Sequence, residues 1–366
     1  MRAVADGERH GRRVRAMGVA GAGAAVIVVL AAGWAFAGLG PRVGADNTVT
    51  PAQLAASEKT EKPKSLACTA QQLTTASGSP KGVVTGADPT GKYILGRTYP
   101  NGKPQAVIWI DRRPVPVPMS GDDQELRDAT STGLAVGTSF PSGDDKPAAW
   151  VYAGGKVTRL SGGVAEANAV NERGMIAGVV GNRPAMWRSP NDKPTMLALP
   201  GAGWQGRAMG IDEDGTIVGS VSETGGSGTA ALWRPDGTLE LVKAAVTGGD
   251  VTQNPTNGGS RAMSIRGGWV TIWIAGGGLL LNAATGAITG DAVIEAVNRQ
   301  GWTAGDGRLV AGGETVKLLP PGGETVKRPP GGGHGVVVSA ISDDGVTVAG
   351  YVPGPDAVPV VWTCSR

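Results

Sequence analysis

Histidine and cysteine, which supply many of the nucleophiles and proton-transfer groups of enzymes, are nearly absent from this chain of 366 residues. The histidines are His10 and His334, and the cysteines are Cys68 and Cys364. A Ser-His-Asp or Cys-His arrangement in the body of the chain would depend on His334, which lies in the glycine-rich stretch GGGHG. We therefore expect no catalytic residues and a protein that is not an enzyme.

Motifs for metal ions and cofactors are also missing. Acidic clusters occur at 212–215 (DEDG), 342–345 (SDDG) and 144–145 (DD), but they lack the alternating oxygens and later bidentate Glu of a calcium loop. The glycine runs 276–278 and 331–333 are not followed by the Lys-Ser/Thr of a phosphate loop. We expect no metal and no cofactor, and we interpret the Asn and Asp residues as turn formers.

Excess positive charge is confined to the N-terminus. The formal net charge is +3, and residues 1–15 contain five arginines against Asp6 and Glu8, which already gives +3. The rest of the chain therefore sums to zero. Because phosphate binding needs a basic surface, the composition argues against nucleic acid as a partner.

A long uncharged run separates this basic tail from the rest. Residues 16–40 would span roughly 37 Å as a helix, enough to cross a hydrocarbon core of about 30 Å. The flanking arginines place the tail (1–15) in the cytoplasm and the body outside the cell membrane, as a single-pass signal anchor. A cleaved signal peptide is the alternative, since Ala35-Phe36-Ala37 matches a cleavage site. Residues 41–66 are polar and aperiodic, which predicts a flexible linker.

Glycine and proline together make up about a quarter of the chain, and the glycines recur at fixed places. One phrase, an apolar strand, a turn ending in Gly and a small-residue strand, returns through the chain. Its copies are ADPTGKYILG (87–96), ATSTGLAVG (129–137), AVNERGMIAG (169–178), GIDEDGTIVG (210–219), SIRGGWVTIW (264–273), AVNRQGWTAG (296–305) and AISDDGVTVAG (340–350).

The spacing of these copies identifies the architecture. The closing glycines Gly96, Gly137, Gly178 and Gly219 are each 41 residues apart. A period near 41 is the size of one four-stranded propeller blade, and a single blade buries too little surface to be stable without its neighbours. We predict an all-β fold over 67–366, a seven-bladed β-propeller, with six or eight blades as alternatives.

Each repeat is expected to continue with a third strand that ends in tryptophan and a short fourth strand. The tryptophans of these third strands are Trp109, Trp150, Trp187, Trp233 and Trp362. The fifth copy has Asn282 at the corresponding place, and the sixth has no clear counterpart. Fourth strands are expected in GKVTRL (155–160), KPTMLAL (193–199) and GTLELV (237–242).

The turn-plus-Gly phrase followed by an aromatic-ended strand resembles the HAF-type extracellular repeats of bacteria, and more loosely the blades of seven-bladed propellers. The resemblance covers residues 83–366 and rests on the spacing of Gly and Trp. Before the Trp, this chain has Pro184-Ala185-Met186 in one copy and Ala230-Ala231-Leu232 in the next, where the family has His-Ala-Phe. The resemblance implies a repeat fold and no catalytic residues.

The two ends of the propeller complement each other. The last repeat stops after its Trp strand, PVVWTCSR (359–366), while ACTAQQLTT (67–75) has the length of the missing fourth strand. Joining them would remove two exposed sheet edges. Cys68 and Cys364 lie on these two strands, so we predict a disulfide between them; two unrelated buried thiols are the alternative.

One face of the predicted ring carries the candidate binding residues. The segments entering the inner strands supply a charged set, namely Arg127, Glu166, Arg207, Arg261, Glu295 and His334. The longest insertion, 244–259, opens on the same face. Exposed loops on a rigid scaffold often bind ligands, so we predict a binding face for an extracytoplasmic protein or a cell-wall polymer. Rim charges that pair with each other are the alternative reading.

Three function classes remain open at this stage. The first is a membrane-anchored binding module whose ligand is unknown. The second is a propeller-type hydrolase or lyase acting on a cell-envelope substrate, and the third is a structural surface protein. The scarcity of histidine and the neutral body favour the first.

Overall fold

The computed structural model describes residues 65–75, 81–141, 146–242, 245–246, 249–250, 259–274, 277–291, 293–323 and 335–366. The predicted cytoplasmic tail, the predicted membrane helix and nearly all of the linker lie outside these ranges, as does His334. Within them, no helix has the length and apolar character needed to span a bilayer.

Strands are numbered along the chain, and the first, β1 (Ala67–Gln72), belongs with the last blade. Blade 1 is β2 (Gly82–Ala87), β3 (Tyr93–Thr98), β4 (Gln105–Ile110) and β5 (Arg113–Pro116), with a 3-10 turn at Pro100–Gly102. Blade 2 is β6 (Asp122–Ala129), β7 (Ala135–Phe140), β8 (Ala148–Ala153) and β9 (Lys156–Arg159). Blade 3 is β10 (Ala165–Val170), β11 (Ile176–Val180), β12 (Arg183–Trp187) and β13 (Thr195–Met196).

Blade 4 is β14 (Trp204–Ile211), β15 (Ile217–Glu223), β16 (Thr229–Trp233) and β17 (Leu239–Leu241). A short hairpin, β18 (Ala245–Val246) and β19 (Gly249–Asp250), lies in the predicted insertion. Blade 5 is β20 (Ser260–Arg266), β21 (Trp269–Ile274), β22 (Gly277–Asn282) and β23 (Ile288–Asp291). Blade 6 is β24 (Ala296–Val297), β25 (Thr303–Gly305), β26 (Arg308–Ala311) and β27 (Glu314–Lys317). Blade 7 is β28 (Val337–Ile341), β29 (Thr347–Val352), β30 (Val358–Ser365) and β1.

Seven four-stranded antiparallel sheets therefore form a seven-bladed propeller. The first strand of each blade contacts the first strands of its neighbours, and β2 contacts β28, so the inner ring is closed. The predicted blade number and the predicted fourth strands at β9, β13 and β17 are confirmed.

Ring closure follows the sequence prediction. β1 pairs with β30 in antiparallel register and is the fourth strand of blade 7. Cys68 lies directly opposite Cys364, and their sulfurs are bonded at 2.06 Å. The predicted disulfide is confirmed, and it joins the two ends of a propeller that would otherwise have a free edge on each side.

In some blades the glycine that ends the turn is required by the neighbouring blade as well as by its own backbone. Gly345 has φ of +73°, a left-handed conformation that glycine adopts without strain. A Cβ on Gly345 would also lie 2.0 Å from the ring of Trp302 in blade 6. The aromatic ring of one blade therefore packs on the bare turn of the next.

The closing glycines have a different cause. The inner strands of blades 1 to 5 and 7 contain a β-bulge, and in blade 4 it shifts the register between Ala208 and Gly210. A Cβ on Gly219, which pairs with Ala208, would lie 1.9 Å from the carbonyl oxygen of Arg207. The repeating glycine on the second strand thus makes room for the bulge on the first.

The strand register corrects the tryptophan assignments in two blades. In four blades the residue two positions before the closing glycine pairs with a tryptophan. These tryptophans are Trp109, Trp187, Trp233 and Trp362. In blade 2 that place belongs to Tyr152, opposite Ala135, and Trp150 stands two residues earlier. In blade 5 it belongs to Leu281, opposite Val270, and Asn282 is one residue further on. Spacing alone could not fix this register, because loop lengths differ between copies.

The four tryptophans in register fasten neighbouring blades together. All four side chains are fully buried. Each indole N–H donates to a backbone carbonyl just beyond the fourth strand of the preceding blade, from Trp109 to Thr74, Trp187 to Ser161, Trp233 to Ala198 and Trp362 to Leu319. Because Thr74 follows β1, the N-terminal strand accepts this bond as the other fourth strands do. We call this contact the indole clasp.

The hydrophobic core is divided among the interfaces between blades. Six clusters of buried residues each span one pair of neighbouring blades, from the pair 1–2 through 4–5, then 6–7 and 7–1. Among the described residues, the pair 5–6 has no such cluster. This arrangement agrees with the argument that a blade is stable only when stacked on its neighbours.

Candidate functional site

Each blade contributes one residue of its inner segment to the lining of the central cavity; in six blades it is the bulge residue, and in blade 6 it is Glu295, directly before the paired Ala296. These seven residues, the bulge ring, are Thr85, Arg127, Asn168, Met209, Met263, Glu295 and Ser339. Together they line a central cavity of about 270 Å³. The channel is therefore lined by chemically different residues on an otherwise repeated backbone.

A second set of seven lies two positions earlier on the same strands, nearer the face where the inner strands begin. This set, the entrance ring, is Val83, Glu125, Glu166, Arg207, Arg261, Val293 and Val337. It is charged in blades 2 to 5 and valine in blades 6, 7 and 1. The entrance face is thus divided into a charged half and an apolar half.

The predicted binding residues are distributed over both rings. Arg127 and Glu295 belong to the bulge ring, whereas Glu166, Arg207 and Arg261 belong to the entrance ring. His334 lies outside the described residues. The sequence predicts them as one set, because no residue pattern marks the bulge that separates the two registers.

Three of the predicted residues form part of one ion chain. Glu166 accepts from Arg127 at 3.1 Å and from Arg207 at 2.5 Å. Arg127 also contacts Glu125 at 3.4 Å and bonds to Asn168, and Arg97 continues the chain to Asp123 at 2.7 Å. Positive and negative groups alternate along the charged half, so these rim charges are paired with each other.

Electrostatics at Glu166 favour its ionised form. Burial raises the pKa of the Glu166 carboxyl. The hydrogen bonds and charges of Arg207 and Arg127 lower this pKa by more, so the Glu166 pKa lies below its ordinary value. Burial also opposes the charge of Arg97, yet Glu125 and Asp123 outweigh it and raise the Arg97 pKa. The pKa shifts of Glu166 and Arg97 therefore both favour the charged form.

Glu295 serves an interface between blades. Its carboxylate accepts from the backbone N–H of Val338 in blade 7 at 2.7 Å. Glu295 therefore makes a contact that joins blades 6 and 7, and its binding role stays a prediction.

Arg261 stands apart from the ion chain. Its guanidinium lies 5.9 Å from the centre of the Trp273 ring, within the range of a cation–π interaction. Arg261 and Trp273 are paired across β20 and β21. The indole of Trp273 is 48% exposed, and the Met263 side chain beside it is 42% exposed.

Arg261 and Met263 border an open groove over blades 3, 4 and 5, whereas Trp273 lies beside Arg261 and outside the groove lining. We define the blade 4–5 groove by Asn182, Gln205, Arg207, Ser222, Arg261 and Met263, which line a cavity of about 450 Å³. Large exposed apolar side chains next to convergent polar groups are typical of a ligand site. Arg207 and Arg261 are among the residues predicted from the sequence, and Trp273 is not. The signal was present, because Trp273 stands in register where blade 4 has Ser220 and blade 3 has Val179.

One carboxyl in the channel, that of Asp128, has a pKa well above its ordinary value. Asp128 accepts from the backbone N–H groups of Ala129 and of Val170 in blade 3, both at 2.9 Å. Burial raises the pKa of Asp128 to about 7, although these hydrogen bonds and the charge of Arg266 act in the opposite direction. Arg266 itself is held by Asp343 at 3.1 Å and Glu213 at 3.7 Å.

The acidic turns act as backbone acceptors. The Asp212 carboxylate accepts from Gly267 at 3.0 Å and Gly268 at 2.6 Å in the neighbouring blade. Asp344 accepts from the Ser342 hydroxyl and from the N–H of Val346 in its own turn. Across the described ranges, no group of three or more His, Cys, Asp or Glu is placed to hold a metal ion.

Comparison with known proteins supports the fold alone. No family model and no curated protein matches the chain. Among solved structures, the extracellular domain of a proposed one-component system from B. thetaiotaomicron is 11% identical, with a TM-score of 0.50 over 80% of this chain and 39% of that one. YCF48 from Cyanidioschyzon merolae is 14% identical, with a TM-score of 0.43 over 80% of this chain and 98% of that one. This chain therefore spans well under half the length of the first of these structures.

Proposed function

We propose that this protein is a membrane-tethered, extracytoplasmic binding module whose entrance face recognises a component outside the cell membrane. The uncharged run 16–40, with arginines on its N-terminal side, supports an anchor that leaves the propeller outside. The Cys68–Cys364 disulfide is consistent with an oxidising compartment. The likeness to HAF-type extracellular repeats agrees with this location.

The blade 4–5 groove is the observation that carries the binding role. The Arg261 guanidinium lines it, and the exposed indole of Trp273 lies against Arg261 just outside the lining, on a rigid, disulfide-closed scaffold. The other conspicuous charges of this face, along the ion chain, are already paired with each other. A site of this kind binds by contact and needs no reacting group.

A direct test uses the full chain extracted in mild detergent and mixed with washed cell envelopes of the cells that make it. We expect the protein to sediment with the envelopes, and we expect the Arg261→Glu, Trp273→Ser variant to remain in solution. Arg113→Glu is the matched control, because Arg113 is exposed on the outermost strand of blade 1. Equal sedimentation of all three proteins would refute a binding role for this groove.

The location is tested separately. We expect the full chain to stay in the membrane pellet after an alkaline wash, and protease added outside the cell to release the propeller. A mature N-terminus directly after Ala37 would replace the anchor with a cleaved signal peptide.

Hydrolysis or elimination on an envelope substrate is the second candidate function. The observation in its favour is Asp128, a channel carboxyl whose pKa of about 7 suits a general acid or base at neutral pH. Turnover of envelope saccharides by the native protein and its loss in Asp128→Asn would support this function over simple binding.

A further inference from the structure

Within the proposed binding function, on which this inference rests, we propose that the blade 4–5 groove takes a saccharide that carries a carboxylate. The groove supplies one available cation and several neutral hydrogen-bonding side chains, and the exposed Trp273 ring lies beside that cation, outside the groove lining. Each of these features selects part of the ligand.

The charge balance of the entrance face points to a single anionic group. The ion chain contains three arginines and three carboxylates, and Arg207 reaches the groove already paired with Glu166. Arg261 has no carboxylate partner among the described residues, and its contact is the Trp273 ring. An arginine fork binds a carboxylate through two parallel hydrogen bonds. The ligand therefore carries a carboxylate that Arg261 can hold.

The apolar part of the groove is suited to a sugar ring. The indole of Trp273 is 48% exposed, and the flexible side chain of Met263 is 42% exposed beside Arg261. A flat aromatic surface next to polar groups accepts a ligand with an apolar face and a polar edge. The C–H face and hydroxyl edge of a pyranose have this character.

The remaining lining favours hydroxyl groups over a peptide backbone. Asn182, Gln205, Ser220 and Ser222 offer amides and hydroxyls that can both donate and accept hydrogen bonds. Ser220 and Ser222 stand on β15, which is paired with β14 on one edge and β16 on the other. An added peptide strand needs a free backbone edge, and β15 has none. The groove thus recognises its ligand through side chains.

The test measures binding of defined saccharides to the full chain in detergent by titration calorimetry. The carboxylated probes are an oligogalacturonate, an oligoglucuronate and a muramic-acid disaccharide, each compared with its methyl ester. We expect at least one acid to bind about tenfold more tightly than its ester, because a charge-assisted hydrogen bond is lost on esterification. A triglutamate peptide is the competing probe.

Variants locate the binding. Arg261→Gln is expected to abolish the preference for acid over ester, and Arg261→Lys to restore part of it, since lysine keeps the charge but loses the fork. Trp273→Ala is expected to weaken acid and ester alike. Arg113→Gln, on an exposed strand of blade 1, is expected to change neither.

Each outcome decides the proposal. Tighter binding of the triglutamate peptide than of every saccharide overturns it, as does equal binding of acid and ester or no binding of any acid. If the saccharides fail while envelopes still bind in an Arg261- and Trp273-dependent manner, the ligand class is wrong and the binding function stands. If neither binds, both proposals fall.

Discussion

The interface between blades 3 and 4 and the seam between blades 5 and 6 share one repeat plan but are held together very differently. Blades 3 and 4 share a buried cluster that includes Trp233, and the indole clasp to Ala198 crosses the interface. Blades 5 and 6 have no shared cluster among the described residues, and neither Leu281 nor Val310 at the Trp position can donate a clasp.

The seam between blades 5 and 6 is held by smaller contacts. The bare turn at Gly301 packs on Trp269, and the inner strand of blade 6 is only Ala296–Val297. A closed ring tolerates one weak interface because the other interfaces and the disulfide keep its ends in place. Blade 5 lacks the tryptophan of the repeat at Leu281 and also presents Trp273 and Arg261, the residues that we propose for binding.

Removing the disulfide should have the largest effect on the difference in stability between these two interfaces. Cys68→Ser, Cys364→Ser removes a cross-link over a sequence separation of 296 residues. Chain entropy for such a loop sets an upper bound of about 5–6 kcal/mol on the loss in unfolding free energy. We expect a lower denaturation midpoint, with hydrogen exchange in blades 5 and 6 accelerated before that in blades 3 and 4.

The native protein in the same exchange experiment is the control, since its ring is closed. If blades 3 and 4 exchanged first in the opened ring, the seam between blades 5 and 6 would not be the weak interface.

Removing an indole clasp should weaken a strong interface by a smaller amount. Trp233→Phe keeps an aromatic ring but removes the indole donor to the carbonyl of Ala198 and leaves a smaller side chain in a buried site, which together cost about 1–3 kcal/mol. Trp150→Phe is the matched control, because the Trp150 N–H bonds to Ser139 within its own blade. Denaturant titration should show the larger loss for Trp233→Phe, and exchange at β13 should rise in that variant alone.

A turn residue tests the interface between blades 3 and 4 at its other end. Asn171 accepts from the N–H groups of Arg173 and Met175 in its own turn, and its amide donates to the carbonyl of Asp212 in blade 4 at 3.0 Å. Asn171→Asp retains the acceptor and loses the donor. We expect a loss of about 1–2 kcal/mol by denaturant titration, because a buried carbonyl is left unpaired.

The same Asn to Asp change at exposed Asn191 serves as the control, and it should be nearly neutral. An equal loss at both positions would contradict the assigned bond between blades.

We expect the smallest effect on the unfolding free energy from a change in pH. The pKa of Asp128 is raised from 3.8 to about 7 in the folded protein by burial, despite its bonds to Ala129 and Val170. The stability linked to a raised acid pKa is fully present below the unfolded value and is lost as pH rises through the folded value. Unfolding free energy should therefore fall between about pH 4 and pH 7, by at most about 1.4 kcal/mol per pH unit.

In Asp128→Asn this contribution to the pH slope should disappear, measured by denaturant titration at each pH. An unchanged slope would show that Asp128 titrates normally. The seam between blades 5 and 6 should exchange at the same rate in both proteins, because Asp128 joins blades 2 and 3.

The sequence predicted one part of the fold and of the candidate site and could not predict the other part. The period of 41 residues predicted the blades, and the position of the two cysteines predicted the closure, since both depend only on order along the chain. The assignments of Trp150 and Asn282 were wrong, because register depends on loop length and hydrogen bonding. The sequence also could not show that Arg127 and Glu295 belong to one ring and Glu166, Arg207 and Arg261 to the other. A bulge changes the direction of side chains, and no residue pattern marks its position.

The sequence by itself determined the repeat, the turns, the closing strand and the disulfide, because glycine, tryptophan and cysteine each impose a local or pairwise constraint. Only the tertiary structure decided which charges neutralise one another and which remain available. Glu166 lies between two arginines from neighbouring blades, whereas Arg261 faces Trp273. Electrostatic pairing depends on distances between blades, and these are set by packing around the ring.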